Sequence, residues 1–557
     1  MKKKFISMLI IICSLNMLLT SCSLRDSIKI DNSKKSESIG YAGDIMDKGP
    51  VRGGALRTFS TIPDTLNPIL TNNLYVKDFS QFIFESLVKL DKSQRPVPVL
   101  ADKWEVSKDG LTWTFYLRNN ISWHNNTPFT ADDVEFTIKS ILDPKISSVY
   151  KKNLEDVSAY SAVDKRTIKL ILKQPNSFLA ELMTFPIISK SYFNGEDLLT
   201  TKKNDNPIGT GPYKFVSSDG KSQIKLALDE KWWRAAALRK DQTLPLIAEI
   251  NIVLENNTKD ALNDFQDDKI DVAFIKNRDF SKFSGRTDVF LKKFPSNNYE
   301  FISLNLTNPV LQDKIVRQAM AYAIDKVKLI DKIMPGEAIA ADIPVIPDTW
   351  LYETNALSYV PSSKSAKDLL TQNGWKEDPK TGTMYKAIGG YYRKLEFEIL
   401  VNEDDDIRYR VADMIANQLE ACGITLKVTK IKWEDEFKRI YSKNYDLALL
   451  GWSIPDYSDV SYAFSSDAEQ SSFNISGYKN PEIDGYLTQI KSENDDSKKK
   501  TMFFNMRSII SDEMPYIGLF FYNNAVLFNK RVRGDLSSYQ WDKYSDITKW
   551  YITAPVK

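Results

Sequence analysis

Apolar positions along the chain change period several times, and each change marks a predicted element. Residues Leu111-Thr112-Trp113-Thr114-Phe115-Tyr116-Leu117 alternate between apolar and polar, as do 424–428, so both read as strands with one buried face. The turn Ser107-Lys108-Asp109-Gly110 pairs the first of them with 100–106 as a hairpin. Elsewhere the period is helical. Val316, Ala319, Met320, Ala323 and Ile324 form a stripe behind Asp313 as N-cap. Ala366, Leu369 and Leu370 do the same behind Ser363, with Gly374 closing the helix. Val411, Met414, Ile415 and Leu419 repeat the pattern up to Gly423. Thr130 is placed to cap a helix whose first turn carries Asp132 and Asp133, and Phe79, Ile83 and Leu87 share a helical spacing. Helix, Gly and strand, followed by the apolar run 447–450, predict an α/β fold with parallel crossovers.

Length and charge narrow this picture. At 557 residues the chain exceeds what one core holds, so two or three domains are expected. Lys and Arg total 75 against 73 Asp and Glu, a balance that gives no field for nucleic acid. The single histidine, His124, excludes a His-rich metal site and reads as structural. The chain lacks Gly-x-Ser-x-Gly and His-Glu-x-x-His motifs and a Cys-His signature, which argues against an exported hydrolase. Gly209-Thr210-Gly211-Pro212 lacks the ending of a phosphate loop and reads as a tight turn. Lys231-Trp232-Trp233-Arg234 reads as aromatic packing under basic stems at a surface.

The N-terminus has its own chemistry. Lys2, Lys3 and Lys4 precede an apolar run, and Leu19-Thr20-Ser21-Cys22 follows it. This is a secretory leader, 1–21, and its end resembles the bacterial lipoprotein box, which implies lipidation at Cys22. Residues 22–50 read as the lipidated Cys and a flexible tether. That places the chain at the outer face of the cytoplasmic membrane. Cys422, at a helix end, reads as a small core residue.

One stretch concentrates candidate chemistry: Leu449-Leu450-Gly451-Trp452-Ser453-Ile454-Pro455-Asp456-Tyr457-Ser458-Asp459. An apolar strand reaches a Gly, and two large aromatics then bracket an acid. Pro455 fixes its own φ and restrains Ile454, so the segment is extended or turned. A carboxylate between Trp and Tyr at a strand end suits an amine-bearing ligand, while the bland alternative is a strand exit with a solvated Asp.

Several pieces together resemble the family 5 extracellular solute-binding proteins, the receptors of oligopeptide, dipeptide and nickel ABC importers. They are 100–134, Pro207-Ile208-Gly209-Thr210-Gly211-Pro212-Tyr213, Asn305-Leu306, Asp313, Val316-Arg317-Gln318-Ala319 and Ala323-Ile324-Asp325. Gly451-Trp452, Asn480-Pro481-Glu482-Ile483-Asp484 and Glu513-Met514-Pro515 continue them in the family's order. The resemblance implies a two-lobed periplasmic-binding-protein-like fold (type II, cluster C) with an extra subdomain in the first lobe, closing on its ligand at a hinge. The division it implies is lobe I at 51–90, 208–297 and 518–557, the extra subdomain at 91–207, and lobe II at 298–517. It also implies a receptor that is not an enzyme, needs no cofactor, acts as a monomer, captures peptides and delivers them to ABC permease subunits. By position, Asp456 corresponds to the acid that pairs with a ligand's α-ammonium, with Asp459 as the alternative; Trp452, Ser453 and Tyr457 would line the pocket. Leu449 stands where the enterobacterial oligopeptide receptor carries an Arg, leaving the ligand's carboxylate without an assigned contact. The alternatives are a non-peptide ligand (metal chelate, heme or oligosaccharide) on the same fold, or a peptide-sensing surface lipoprotein.

Overall fold

The computed structural model describes residues 49–236, 245–283, 285–352, 359–469 and 474–553. The leader, Cys22 and the tether through residue 48 lie outside the described residues.

Two long strands, Val289–Leu304 and Tyr516–Asn529, pair antiparallel in the middle of a mixed sheet. Both are almost continuously apolar where they are covered on two faces. Val289, Phe294 and residues 525–528 belong to one apolar core, whereas Tyr299, Phe301, Ile302, Leu304 and residues 516, 517 and 519–521 belong to two others. The chain therefore passes between cores along these strands. The register shifts at the passage, between the pairs Pro295–Asn523 and Tyr299–Phe521. A bulge there bends the ribbon, because unpaired residues interrupt the ladder.

The mixed sheet continues from Val289–Leu304 to Leu447–Ser453, Glu396–Asn402 and Thr425–Ile431. The last three are mutually parallel neighbours, as the helix–Gly–strand order predicts. Helix Asp406–Glu420 makes one crossover, capped by Asp405 and followed by Gly423 at φ +83°, and helix Trp433–Tyr441 makes the next. The first core is shared by two sheets. One contains Ala55–Thr61, Glu249–Glu255, Gln223–Leu228 and Tyr213–Ser218; the other is the antiparallel set Ala101–Val106, Thr112–Leu117, Thr167–Leu172 and Val157–Asp164, backed by helix Ala131–Leu142.

Three local readings are corrected. The helix expected behind Asp313, with Ile324 in its stripe, ends at Ala323: it is Lys314–Ala323, and a second helix, Lys326–Ile333, follows because Asp325 accepts from the Lys328 N–H and caps it. Phe79, Ile83 and Leu87 are buried, but the helix is Leu74–Ser80 and the rest turns away to meet Gly209-Thr210-Gly211. The strand expected to end before Gly451 extends to Ser453, since Asn298, Tyr299 and Glu300 pair with Ser453, Trp452 and Gly451.

The Gly209–Gly211 turn lies so close to the backbone at Phe82 and Ile83 that a Cβ on Gly209 would sit 1.7 Å from the Ile83 carbonyl oxygen. His124 clamps it: its Nδ1 accepts from the Gly209 N–H (3.2 Å) and its Nε2 donates to the Gly211 carbonyl (2.9 Å). Both nitrogens of a neutral ring are thus used, and burial holds the pKa below the ordinary value.

Candidate ligand cleft

Beside the passage between cores lies a cleft of about 2440 Å³, well above the roughly 300–1,000 Å³ of small-molecule sites. Its walls come from distant parts of the chain. Tyr75, Lys77 and Asp78 come from the helix Leu74–Ser80, Glu181 from a short helix, Trp232 and Arg234 from the turn after strand Gln223–Leu228, Asn297 and Asn298 from the bulge, and Ser453 through Tyr457 from the end of the central strand.

Alternation along Leu447–Ser453 decides which residues face the cleft. Ser453 is exposed, lines the cleft and meets Asn297 Nδ2 at 3.2 Å. Trp452 points the other way. It is 7% exposed and packs against Phe301 (ring centroids 4.0 Å apart) and Tyr516 (5.1 Å). The expectation that Trp452 lines the pocket is therefore corrected: it is core beneath the cleft floor, and its buried Nε1 has no hydrogen-bond partner among the described residues. Gly451 is required by close approach. A Cβ there would lie 2.5 Å from Glu300 Oε1 and 2.7 Å from Arg408 Nη2, whose bidentate pair (2.8 and 2.9 Å) crosses over it.

The two acids of the loop have different surroundings. Asp459 accepts from the Ser461 N–H (2.8 Å) and pairs with Lys491 Nζ (2.9 Å), so its carboxylate is engaged in holding the loop. Asp456 lines the cleft and has no hydrogen bond or ion pair among the described residues. Asp456 is exposed into the cleft; the protein walls around it desolvate the carboxylate and push its pKa up to about 6, against a pull from Lys543 and with a push from Asp78. Tyr457 is half-buried and lines the cleft beside it.

The loop is held from across the molecule. Glu181 accepts from the Ser458 N–H (2.8 Å) and from Ser458 Oγ (3.2 Å), and Ser458 Oγ accepts from Trp350 Nε1 (2.9 Å). Burial pushes Glu181 to about 7. Phe178, on the same short segment, inserts into the core that also contains Trp452. Nothing in the local sequence around Glu181 marks this role, because its partners lie 277 positions away. A signal does exist at Trp232-Trp233-Arg234. Trp233 Nε1 donates to Glu85 (2.7 Å), and the Arg234 guanidinium stacks 4.9 Å from the Trp233 ring. The cluster faces the cleft through Trp232 and Arg234, beyond the surface packing expected for it. Leu449 is fully buried, and Cys422 is a buried free thiol pushed up to about 11.

Among the described residues no group of acids, Cys and His could hold a metal ion, and no helix is long and apolar enough to cross a membrane.

The profile described as "Bacterial extracellular solute-binding proteins, family 5 Middle" matches residues 95–474. The oligopeptide-binding protein AppA of Bacillus subtilis is 24% identical over 99% of each chain. The oligopeptide-binding protein OppA of the same organism is 26% identical over 85% of this chain and 88% of its own. Among solved structures, the ABC transporter substrate binding protein CtaP of Listeria monocytogenes superposes with a TM-score of 0.72 at 24% identity, over 90% of this chain and all of that one. AppA in complex with a nonapeptide superposes with a TM-score of 0.60 at 21% identity, over 91% and 100%. Other relatives carry the names of dipeptide-, heme- and glutathione-binding proteins. The fold, the cleft and these matches agree: the chain belongs to the family 5 bacterial extracellular solute-binding proteins, the substrate-binding components of ABC importers, and is a transport protein of the extracytoplasmic side.

Proposed function

We propose that the chain captures oligopeptides in the cleft and hands them to an ABC permease as a lipid-anchored monomer. The observation that carries this is Asp456: a carboxylate in the cleft with no hydrogen bond or ion pair among the described residues, on a loop whose other acid is engaged. An α-ammonium leaving water needs a fixed counter-charge, and Asp456 supplies one. Exposed Ser453 and the bulge residues Asn297 and Asn298 offer polar groups for a peptide backbone laid across the strand ends. The cleft volume and the nonapeptide carried by AppA both favour a ligand of several residues. In this reading lobe I and its extra subdomain close against lobe II about the bulge at 295–299. Cys22 carries the lipid.

Native mass spectrometry of the purified protein tests the ligand class. Co-purified peptides are expected; a bound heme, metal chelate or sugar in their place would contradict the reading. For the anchor, Cys22→Ser is expected to move the protein from the membrane fraction to the soluble one, and continued pelleting would reject it.

A further inference from the structure

The cleft wall is not electrically balanced. Several of its acids are already matched. Asp78 accepts twice from Lys543 Nζ (2.7 and 2.6 Å), Asp279 pairs with Lys282 (2.6 Å), and Glu85 faces Arg234 (3.5 Å). Asp546 pairs with Lys549 (2.9 Å), Glu181 is turned toward Ser458, and Asp542, without an ion pair among the described residues, feels Lys89. The cations are in excess. Lys77, Lys152, Lys259, Lys276 and Arg278 all line the cleft, and none has a carboxylate within ion-pair distance among the described residues. The chain as a whole is nearly neutral, so this bias is local.

Three of these cations sit on adjoining elements. Lys259 lies in the first turn of the helix Thr258–Gln266, Lys276 ends the strand Val272–Lys276 on which that helix packs, and Arg278 lies in the turn that follows. Lys77 is half-buried on another wall, with its pKa lowered by burial and the nearby Asp78 already taken by Lys543. A desolvated cation without a partner gains more from an incoming carboxylate than a solvated one does. Asp456 and Lys77 line the same cleft, which therefore offers an anionic and a cationic contact to one ligand. A cleft lined by an excess of one sign also concentrates ligands of the other sign.

We infer that the cleft selects acidic peptides, whose amine meets Asp456 and whose side-chain or terminal carboxylates meet Lys77 and the Lys259, Lys276 and Arg278 group. This rests on the peptide reading above and adds the ligand's charge class. It also supplies a place for the carboxylates that Leu449, buried in the core, cannot receive.

Calorimetry with three amidated pentapeptides carrying free amines tests it: Ala-Glu-Ala-Glu-Ala, Ala-Ser-Ala-Ser-Ala and Ala-Lys-Ala-Lys-Ala. The acidic peptide is expected to bind at least tenfold more tightly than the basic one, with the neutral one between them. The gap should narrow as salt rises from about 50 to about 500 mM, because exposed charges are screened. In Lys77→Gln/Arg278→Gln the ratio of acidic to basic affinity should collapse toward one. If that double variant does not fold, Arg278→Gln at its exposed site carries the same test with a smaller collapse. Equal affinities, or a basic peptide that binds best, would overturn the inference. If all three bind in an Asp456-dependent way without charge order, the inference fails and the peptide reading stands; if none binds, both fail.

Discussion

Asp456 and Asp459 stand three positions apart on one loop, yet only one of them is available to a ligand. Asp459 is held by Ser461 and Lys491, and Asp456 faces the cleft. Composition could not separate them, because the difference lies in Lys491, which arrives from a helix further along the chain. A carboxylate raised to about 6 must be ionised to hold an ammonium. Affinity for an amine-bearing peptide should therefore be full at pH 7.5 and fall as pH drops through about 6. Binding near pH 6 should release protons, since the ligand's charge favours the ionised form; calorimetry in buffers of different ionisation heat reads this directly. Affinity that stays flat from pH 7.5 to 5 would remove Asp456 from the contact. Trp452 teaches the complementary lesson. Its neighbour's exposure follows from strand alternation, but the alternation alone does not say which face meets the cleft, and the aromatic core around Tyr299, Phe301 and Tyr516 decided it.

At the scale of elements, the helices Ser363–Gln372 and Asp406–Glu420 and the strand Thr425–Ile431 were legible because their apolar stripes are continuous, although the first is capped by Ser362, one residue before the Ser363 expected. What was not legible came from partners remote in sequence. Gly451 continues a strand that local chemistry would end, because Glu300 and Arg408 fill the space a side chain would take. Gly451→Ala should break that fork and cost about 2 kcal/mol or more, and Glu300→Ala, which strands Arg408, about 3–5 kcal/mol. Chemical denaturation measures both; a Gly451→Ala protein as stable as the parent would show that the fork moves aside freely. The loop carrying Asp456 depends similarly on Glu181. Glu181→Ala removes two acceptors from Ser458 and is expected to weaken peptide binding about fivefold or more while Asp456 remains intact, as calorimetry would read. Unchanged affinity would mean the loop holds its shape without that contact.

Across the whole molecule, the two long strands Val289–Leu304 and Tyr516–Asn529 join the first core to the other two, which lie on opposite faces of the shared strands Glu396–Asn402 and Leu447–Ser453. The family resemblance implied two lobes and a hinge; periodicity could not have located the bulge at 295–299, since Pro295, Ser296 and Asn297 resemble any loop. Buried acids set a pH dependence at this scale. Glu181 and Glu436 are each raised from 4.5 to about 7 by burial, and both Glu436 oxygens lack hydrogen-bond partners among the described residues. The native state then holds protons that the unfolded state has released, so their contribution favours folding below about pH 4.5 and is lost as pH rises through about 7. The melting temperature should therefore fall between pH 5.5 and 7.5, and Glu181→Gln should flatten part of that fall. A melting temperature that rises across this window would contradict the assignment. The central claim, that the cleft holds a peptide by its amine at Asp456, is tested most directly by a double-mutant cycle in calorimetry. A peptide and its N-acetylated form are each titrated into the parent and into Asp456→Ala. Acetylation is expected to cost the parent at least tenfold in affinity, about 1.4 kcal/mol, and to cost Asp456→Ala nothing further. Equal affinity of both peptides for the parent, or an equal loss in both proteins, would contradict it.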